Sequence, residues 1–251
     1  MLTVNQLSRF AVSLAFILPV LAADSQLVVD RGLPKANLND ASGSARSNVR
    51  WAIPDDGFLG DDFTIGAPGE KWVIDSIRTW TVPGIHSKDP VRLGDLYQDV
   101  RLYFGGPEGD LTPVVSVRLN ENSDRTETSR VKISDVAGTY DDFGKSLRMW
   151  QVEFTNLRLP VDGGVKYRFG VWGMGRPIPE SPGKNYMWFN HASNAALAGA
   201  PQDGADGLIL QFDAGGRSAG ELNTEGHGWD KSADINVQVF AHRAAASAGS
   251  Q

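Results

Sequence analysis

One alternating stretch decides the fold: Gly164-Val165-Lys166-Tyr167-Arg168-Phe169-Gly170-Val171-Trp172. Every second residue from Val165 to Val171 is apolar, and the positions between them are polar or small until Trp172. Successive side chains of an extended chain point to opposite faces, so a period of two predicts a β-strand with one buried face. Turn residues at 160–164 give this strand a defined beginning.

The same period recurs along the chain. Clear alternation covers residues 49–53, 100–104, 150–154 and 235–241, and shorter apolar stretches predict strands at 27–29, 62–65, 71–82, 113–119, 129–135, 186–190 and 208–212. About a dozen short strands, each half-buried, predict an all-β protein in which antiparallel sheets pack face to face. A jelly-roll-like β-sandwich is the favoured architecture, and a closed barrel is the second choice.

The domain organisation is simple. Residues 48–242 form a single sandwich domain, because no interior stretch is long and polar enough to be a linker. Residues 23–47 are expected to form a short strand followed by a polar arm, and residues 243–251 a disordered Ala/Ser/Gly tail. Within 71–82 the alternation slips by one residue, which predicts a β-bulge near Asp75 and Ser76.

Composition excludes several kinds of chemistry. The chain has 251 residues and no cysteine, so it has neither disulfides, nor thiolate metal ligands, nor a cysteine nucleophile. It carries 24 basic and 30 acidic side chains, a net charge of −6. Such an acidic chain lacks the positive surface that nucleic acids and anionic membranes attract, so neither is expected as a partner.

The N-terminus predicts export. Residues 1–22 combine Arg9 with an apolar run over 10–21 and small residues before position 23, which is typical of a cleaved signal peptide. We therefore expect a secreted protein, periplasmic or extracellular, with no membrane insertion after cleavage. The absence of both cysteines and N-x-[ST] acceptor sites favours a bacterial source.

Four segments resemble a group of secreted bacterial β-sandwich proteins, many of which carry a PEP-type C-terminal sorting signal. The segments are an Asp-Asp-Phe strand at 60–65, a tryptophan-rich strand at 72–80, a Gly-x-x-Tyr strand at 164–172 and a closing strand at 234–240 that begins with Asp. The resemblance implies a jelly-roll-like fold and an extracellular location, and it implies no particular activity or catalytic residue. This chain departs from the group because it shows no sorting tail.

Tryptophans are the candidate ligand contacts. Trp51, Trp72, Trp80 and Trp150 are expected in the core. Trp172 is out of phase with its apolar neighbours and so shares a face with Arg168, where a flat ring can stack on a sugar or another planar ligand. Residues 186–190, which include Trp188, could extend this surface, and Trp229 is a further stacking candidate. Arg168, Asn190 and His227 could supply polar contacts. The alternative is that loops cover these rings.

Calcium is the favoured metal, because it takes oxygen ligands from loops. Asp203 and Asp206, separated by small residues, are the candidate ligands for a possible structural calcium ion. Ordinary turns stabilised by aspartate side chains are the alternative interpretation of the same residues.

The sequence therefore favours a non-catalytic binding or surface-interaction module, with a glycan or a cell-surface or matrix component as partner and carbohydrate as the ligand class. No catalytic residue is assigned, and enzyme activity is left open as the less favoured interpretation. A polysaccharide-active enzyme would need converging loop carboxylates such as Asp61 or Asp230. A purely structural envelope or matrix protein is the third alternative.

Overall fold

The structure is a computed structural model, and it describes residues 24–33, 48–51, 57–86, 88–89, 91–120, 130–136, 140–142, 145–194, 206–223 and 233–244. The predicted signal peptide, almost all of the polar arm and most of the predicted tail lie outside these ranges. No helix within the described ranges is both long and apolar enough to span a bilayer.

Seventeen strands and one helical turn make up the described fold. In chain order they are β1 (Gln26–Arg31), β2 (Asn48–Trp51), β3 (Gly57–Thr64), β4 (Lys71–Thr81), α1 (Leu93–Leu96), β5 (Tyr97–Gly105), β6 (Thr112–Arg118), β7 (Val131–Asp135), β8 (Tyr140–Asp142), β9 (Lys145–Leu147), β10 (Trp150–Phe154), β11 (Leu159–Asp162), β12 (Lys166–Gly175), β13 (Asn190–Asn194), β14 (Leu208–Asp213), β15 (Ser218–Asn223), β16 (Ala233–Ile235) and β17 (Val237–Arg243).

Two antiparallel sheets carry the architecture. A nine-stranded sheet has the main order β1-β17-β4-β10-β7, and a six-stranded sheet has the order β15-β14-β3-β12-β5-β6. Most neighbours are distant in sequence, as in a jelly-roll-like sandwich, and the separate sheets do not form the closed barrel that was the second choice. The predicted all-β, single-domain sandwich is confirmed.

The main core lies between the sheets. Strand β12 supplies Phe169 and Val171, which are each 1% exposed, while β4 supplies Ile74 and Ile77 from the opposite sheet. Burying large apolar side chains of this kind stabilises the fold by about 1.5–3 kcal/mol each. The core therefore stabilises this cysteine-free chain without cross-links.

The predicted bulge is present in β4. On strand β17, Phe240 pairs with Ser76 and the next residue, Ala241, pairs with Ile74, so Asp75 is left without a partner in this ladder. The buried positions shift from Trp72 and Ile74 to Ile77 and Thr79 across it. The slip in the sequence pattern therefore reflects one extra residue in the strand.

Two smaller apolar clusters lie on the outer faces of the sheets. On the six-stranded sheet the outer cluster consists of Phe58, Tyr103, Leu111, Leu210 and Phe212. On the nine-stranded sheet the second cluster consists of Trp80, Val82, Leu147 and Met149. Connecting segments thus cover parts of both sheets, and they bury aromatic side chains that point away from the main core.

The predicted strand at 186–190 is wrong. Strand β13 begins only at Asn190, and the preceding residues 186–189 form an irregular extended segment. Their backbone groups bond to scattered partners, among them the Tyr97 hydroxyl and the Thr81 hydroxyl. The segment therefore lacks the single neighbouring strand that a ladder requires. At the other end of the domain, β17 extends to Arg243, one residue into the predicted tail.

Candidate functional site

A cavity opens at the end of the six-stranded sheet where β3 begins and β12 ends. Its volume is about 620 Å³, within the range of small-molecule sites. Three parts of the chain form its wall: the start of β3, residues 83–85 and the long segment from Trp172 to Phe189. The side chains that give it its apolar character are Phe58, Leu59, Pro83, Ile85, Trp172, Met174, Ile178, Tyr186, Met187, Trp188 and Phe189.

Two glycines allow the wall to form. A Cβ added at Gly173 would lie closer than 3.0 Å to the Trp188 ring, and one added at Gly175 would lie that close to the Tyr186 backbone. Alternation along β12 therefore places Gly173 and Gly175 against the segment 186–188 and the larger Trp172 and Met174 on the opposite face of the strand. The sequence Trp172-Gly173-Met174-Gly175 thus sets how closely the two parts of the chain approach.

A turn-rich loop that reverses the chain direction connects β12 to that segment. The Tyr186 N–H donates to the Arg176 carbonyl at 3.0 Å, and the Ile178 N–H donates to the Lys184 carbonyl at 2.9 Å. Arg176 anchors the turn by donating through Nε to the Gly94 carbonyl at 2.8 Å. The turn that carries Lys184 and Asn185 is therefore held beside the cavity by backbone hydrogen bonds.

The extended segment 186–189 is fastened to both sheets. The Tyr97 hydroxyl of β5 donates to the Met187 carbonyl at 2.7 Å. Thr81 at the end of β4 donates from its hydroxyl to the Phe189 carbonyl at 2.7 Å. These bonds fix the backbone while the Met187 side chain remains 36% exposed.

Trp172 lies where the alternation of β12 predicts, on the outer face of its sheet. Its half-buried ring packs against the outer cluster and lines the cavity. The Arg101 guanidinium lies 5.0 Å from the ring centroid, a cation–π distance. The ring is therefore supported on one side and contributes to the cavity wall on another.

Trp188 is placed differently from the prediction. Its ring is only 6% exposed and packs edge-on against Tyr97, with ring centroids 4.9 Å apart. The indole N–H donates to Asn190 Oδ1 at 3.2 Å. Trp188 therefore forms the inner wall of the cavity and belongs to the main core, rather than offering an exposed stacking face.

The predicted polar contacts are engaged elsewhere. Arg168 donates to the carbonyls of Gly106 and Gly109, at 3.0 Å and 2.5 Å, and so holds the connection between β5 and β6 over the outer cluster. Asn190 is 2% exposed and accepts the Trp188 indole proton. His227 and Trp229 lie outside the described residues. Neither Arg168 nor Asn190 lines the cavity.

Sequence reasoning missed part of the cavity wall. Residues 186–190 were expected to extend the surface beside Trp172, but Met174 and Lys184 were not assigned to a site. A usable signal was present in the two glycines at 173 and 175, since small residues that alternate with large ones mark a close backbone approach. The distant contributors Phe58 and Ile85 had no local signal.

No family model matches the sequence. No curated protein matches it, and no solved structure does so either.

Of the two candidate calcium ligands, only Asp206 belongs to the residues that the structure describes. Asp203 lies outside the described residues. Asp206 accepts the Leu208 N–H at 3.0 Å, as expected for a turn stabilised by an aspartate side chain. Its other carboxylate oxygen lies 3.3 Å from the Lys166 ammonium. Lys166 also lies 3.1 Å from Asp62, so a lysine already bridges the two carboxylates. Within the described ranges, no group of three or more His, Asp or Glu side chains is placed to hold a metal ion.

A buried charge cluster lies further along β3, at Asp61. Arg31 of β1 is 1% exposed, and its Nη1 lies 3.3 Å from Asp61 Oδ1 and 3.2 Å from Asp234 Oδ1. The N–H of Ile235 donates to Asp61 Oδ2 at 2.7 Å, and that of Gly207 donates to Asp234 Oδ2 at 2.9 Å. Asp61, a candidate catalytic carboxylate in the enzyme alternative, is therefore buried in a structural ion cluster instead of lying in a loop.

The cluster holds two carboxylates against one guanidinium. Burial raises the pKa of Asp61 to about 7, although the Arg31 cation lowers it. Burial also raises the pKa of Asp234 to about 6, again opposed by Arg31. Because both pKa values exceed those of the unfolded chain, this part of the stability is largest at low pH and is lost as the pH rises from about 4 to about 7.

A buried histidine has the opposite dependence. His191 of β13 is fully buried, and its Nδ1 lies 2.6 Å from Asn236 Oδ1. Burial lowers the pKa of His191 to about 4, although the hydrogen bond to Asn236 raises it. The folded state therefore keeps the ring neutral below pH 6.5, where the unfolded chain protonates it, and stability is lost as the pH falls from about 6.5 to about 4.

We expect His191→Gln to separate these two effects. The variant is destabilised relative to the wild type at pH 7, and the difference shrinks by about 2 kcal/mol at pH 4.5, because the variant has no imidazole to protonate on unfolding. Urea denaturation at several pH values between 4.5 and 7.5 measures it. If the difference in unfolding free energy between variant and wild type stays constant over this range, His191 does not cause the loss of stability at low pH.

Proposed function

We propose that the protein is a secreted, non-catalytic binding protein whose ligand occupies the cavity beside Trp172. The observation that carries this proposal is the cavity itself, about 620 Å³ and walled by Trp172, Trp188 and two methionines. Concave, largely apolar sites of this size are typical of small-ligand binding. The ligand therefore has an apolar face or body.

Secretion and a bacterial source are part of this proposal. Support comes from the charged and apolar pattern of residues 1–22 and from the cysteine-free composition. A binding protein in this location meets soluble molecules and the surfaces of the cell or its matrix, which are the partners proposed here.

Carbohydrate is the second candidate ligand class. The half-buried Trp172 ring favours it, because sugars stack their apolar faces on indoles, and Asn185 adds a polar side chain to the same wall. Carbohydrate sites also need several hydrogen-bonding side chains, and Arg168 and Asn190 are committed to other partners. The experiment below therefore tests glycan binding alongside the binding of an apolar ligand.

The enzyme alternative would place carboxylates in the site. Among the described residues that line the cavity, none is Asp or Glu. Of the two carboxylates considered for catalysis, Asp61 is paired with Arg31 in the interior, and Asp230 lies outside the described residues. Binding is thus the function that the described geometry supports best.

Trp172→Ala tests the proposal. The purified protein is titrated with N-phenyl-1-naphthylamine, a neutral apolar fluorophore, and is also applied to a glycan array. We expect wild-type binding in at least one arm and a loss of about tenfold or more in Trp172→Ala, since removing a ring from a binding site is worth about 1–3 kcal/mol.

Phe240→Ala is the matched control. Phe240 is also a half-buried aromatic residue with an arginine over its ring, Arg78 at 4.8 Å, but it lies on the other sheet and does not line the cavity. The Phe240→Ala variant should bind each ligand with the same affinity as the wild type. Failure of the wild type to bind in either arm would overturn the proposal and favour a purely structural role.

A further inference from the structure

The charge of the cavity wall differs from that of the chain. The protein carries a net charge of −6, yet the described lining contains one basic residue, Lys184, and no acidic residue. Lys184 is exposed on the turn between β12 and the segment 186–189. Among the residues that the structure describes, no carboxylate pairs with its ammonium. Glu180 lies on the same turn, but it is exposed and does not line the cavity.

The remainder of the wall is apolar and adaptable. Phe58, Ile85 and Trp188 give it fixed surfaces, while Met174 and Met187 contribute unbranched, flexible side chains that adjust to differently shaped ligands. The N–H and hydroxyl groups fixed nearby, those of Trp188 and Tyr97, already donate to Asn190 and to the Met187 carbonyl. Asn185 and Tyr186 add two further polar side chains, and the rest of the described wall is largely apolar.

We propose that the ligand of this cavity is an amphipathic organic anion. Its chain or ring lies against the methionine and tryptophan wall, and its anionic head lies at the rim beside Lys184. The inference rests on the proposed function, because it names the ligand class of the same cavity. Charge complementarity supports it: an anion is repelled by most of this acidic molecule and meets a free ammonium where the cavity opens.

Three ligands with the same ten-carbon chain test the head group. Decanoate, decanol and decylammonium are titrated separately into the protein, and binding is followed by tryptophan fluorescence at low salt. We expect decanoate to bind most tightly and decylammonium most weakly. One partly solvent-exposed charge contact is worth up to about 1 kcal/mol, so decanoate should exceed decanol by about fivefold, and added salt should reduce this ratio.

Lys184→Gln identifies the residue. The variant should lose the preference for decanoate over decanol and keep its affinity for decanol, whereas Lys184→Arg should retain the preference. Lys132→Gln removes an exposed lysine of β7 that does not line the cavity, and it should leave the preference of the wild type unchanged.

The outcomes separate this inference from the function on which it rests. Equal binding of decanoate and decanol, or a preference that survives Lys184→Gln, overturns the anionic head group and leaves the cavity as a binding site for neutral apolar ligands. Binding of a glycan alone on the array also overturns it in favour of carbohydrate. If all three ten-carbon ligands, the neutral fluorophore and the glycans fail, the proposed function itself is overturned.

Discussion

Replacing Arg31 with leucine is expected to destabilise the protein by about 3–5 kcal/mol at pH 7, because it leaves the buried carboxylates of Asp61 and Asp234 without their cation. That loss is a large part of the total stability of an ordinary domain. The destabilisation should be smaller at pH 5, where the remaining carboxylates are more readily protonated in the folded state than in the unfolded chain. Urea unfolding at both pH values measures it.

Two comparisons make the Arg31 result specific. Lys71→Gln breaks the exposed ion pair with Asp162, whose side chains are 68% and 53% exposed, and should leave the free energy of unfolding nearly unchanged. Adding Asp61→Asn and Asp234→Asn to Arg31→Leu should recover part of the lost stability, because no unpaired charge is then buried. A destabilisation by Arg31→Leu no larger than that of Lys71→Gln would refute the structural role of the cluster.

The second large effect is expected from Gly175→Ala. The added methyl group would lie closer than 3.0 Å to backbone atoms of Tyr186, so the segment that forms the cavity wall must move. We expect a destabilisation of about 1–3 kcal/mol, as for other overpacked sites, together with loss of the fluorophore binding that Trp172 supports. Thermal unfolding and the fluorophore titration measure the two effects.

Gly106→Ala is the matched control for Gly175→Ala. A Cβ at Gly106 meets nothing within 4 Å, and its backbone is not in the left-handed region. Stability and binding should both stay close to those of the wild type. If Gly175→Ala behaves in the same way as Gly106→Ala, the close approach of β12 to Tyr186 does not shape the cavity.

Local periodicity predicted most of the long strands, but it missed the short β8, β9 and β11 and also β15. The alternation at 165–172 correctly placed Phe169 inside and Trp172 outside, and the slip at Asp75 predicted a real bulge. Both results depend only on the two faces of an extended chain. The same geometry places the neighbours Asp61 and Asp62 on different sides, with Asp61 pointing into the sandwich and Asp62 toward Lys166.

Long-range partners account for what the sequence did not reveal. Arg31 meets Asp61 and Asp234 only because β1, β3 and β16 converge in space, and no local pattern carries that information. Tyr186 to Phe189 resemble a buried strand because both faces are apolar, yet their hydrogen-bond partners come from β4, β5 and Arg176. The cavity likewise depends on Phe58 and Ile85, which are remote from Trp172 in sequence.

Strand order also constrains when the molecule can fold. Strand β17, the last described strand, lies between β1 and β4, so the earliest and latest strands of the described fold are direct neighbours. During synthesis, β4 and β1 exist long before the strand that joins them, and such non-local pairing is intrinsically slow. The nine-stranded sheet can therefore be completed only after β17 has been synthesised, whereas all six strands of the other sheet precede β16 in the chain.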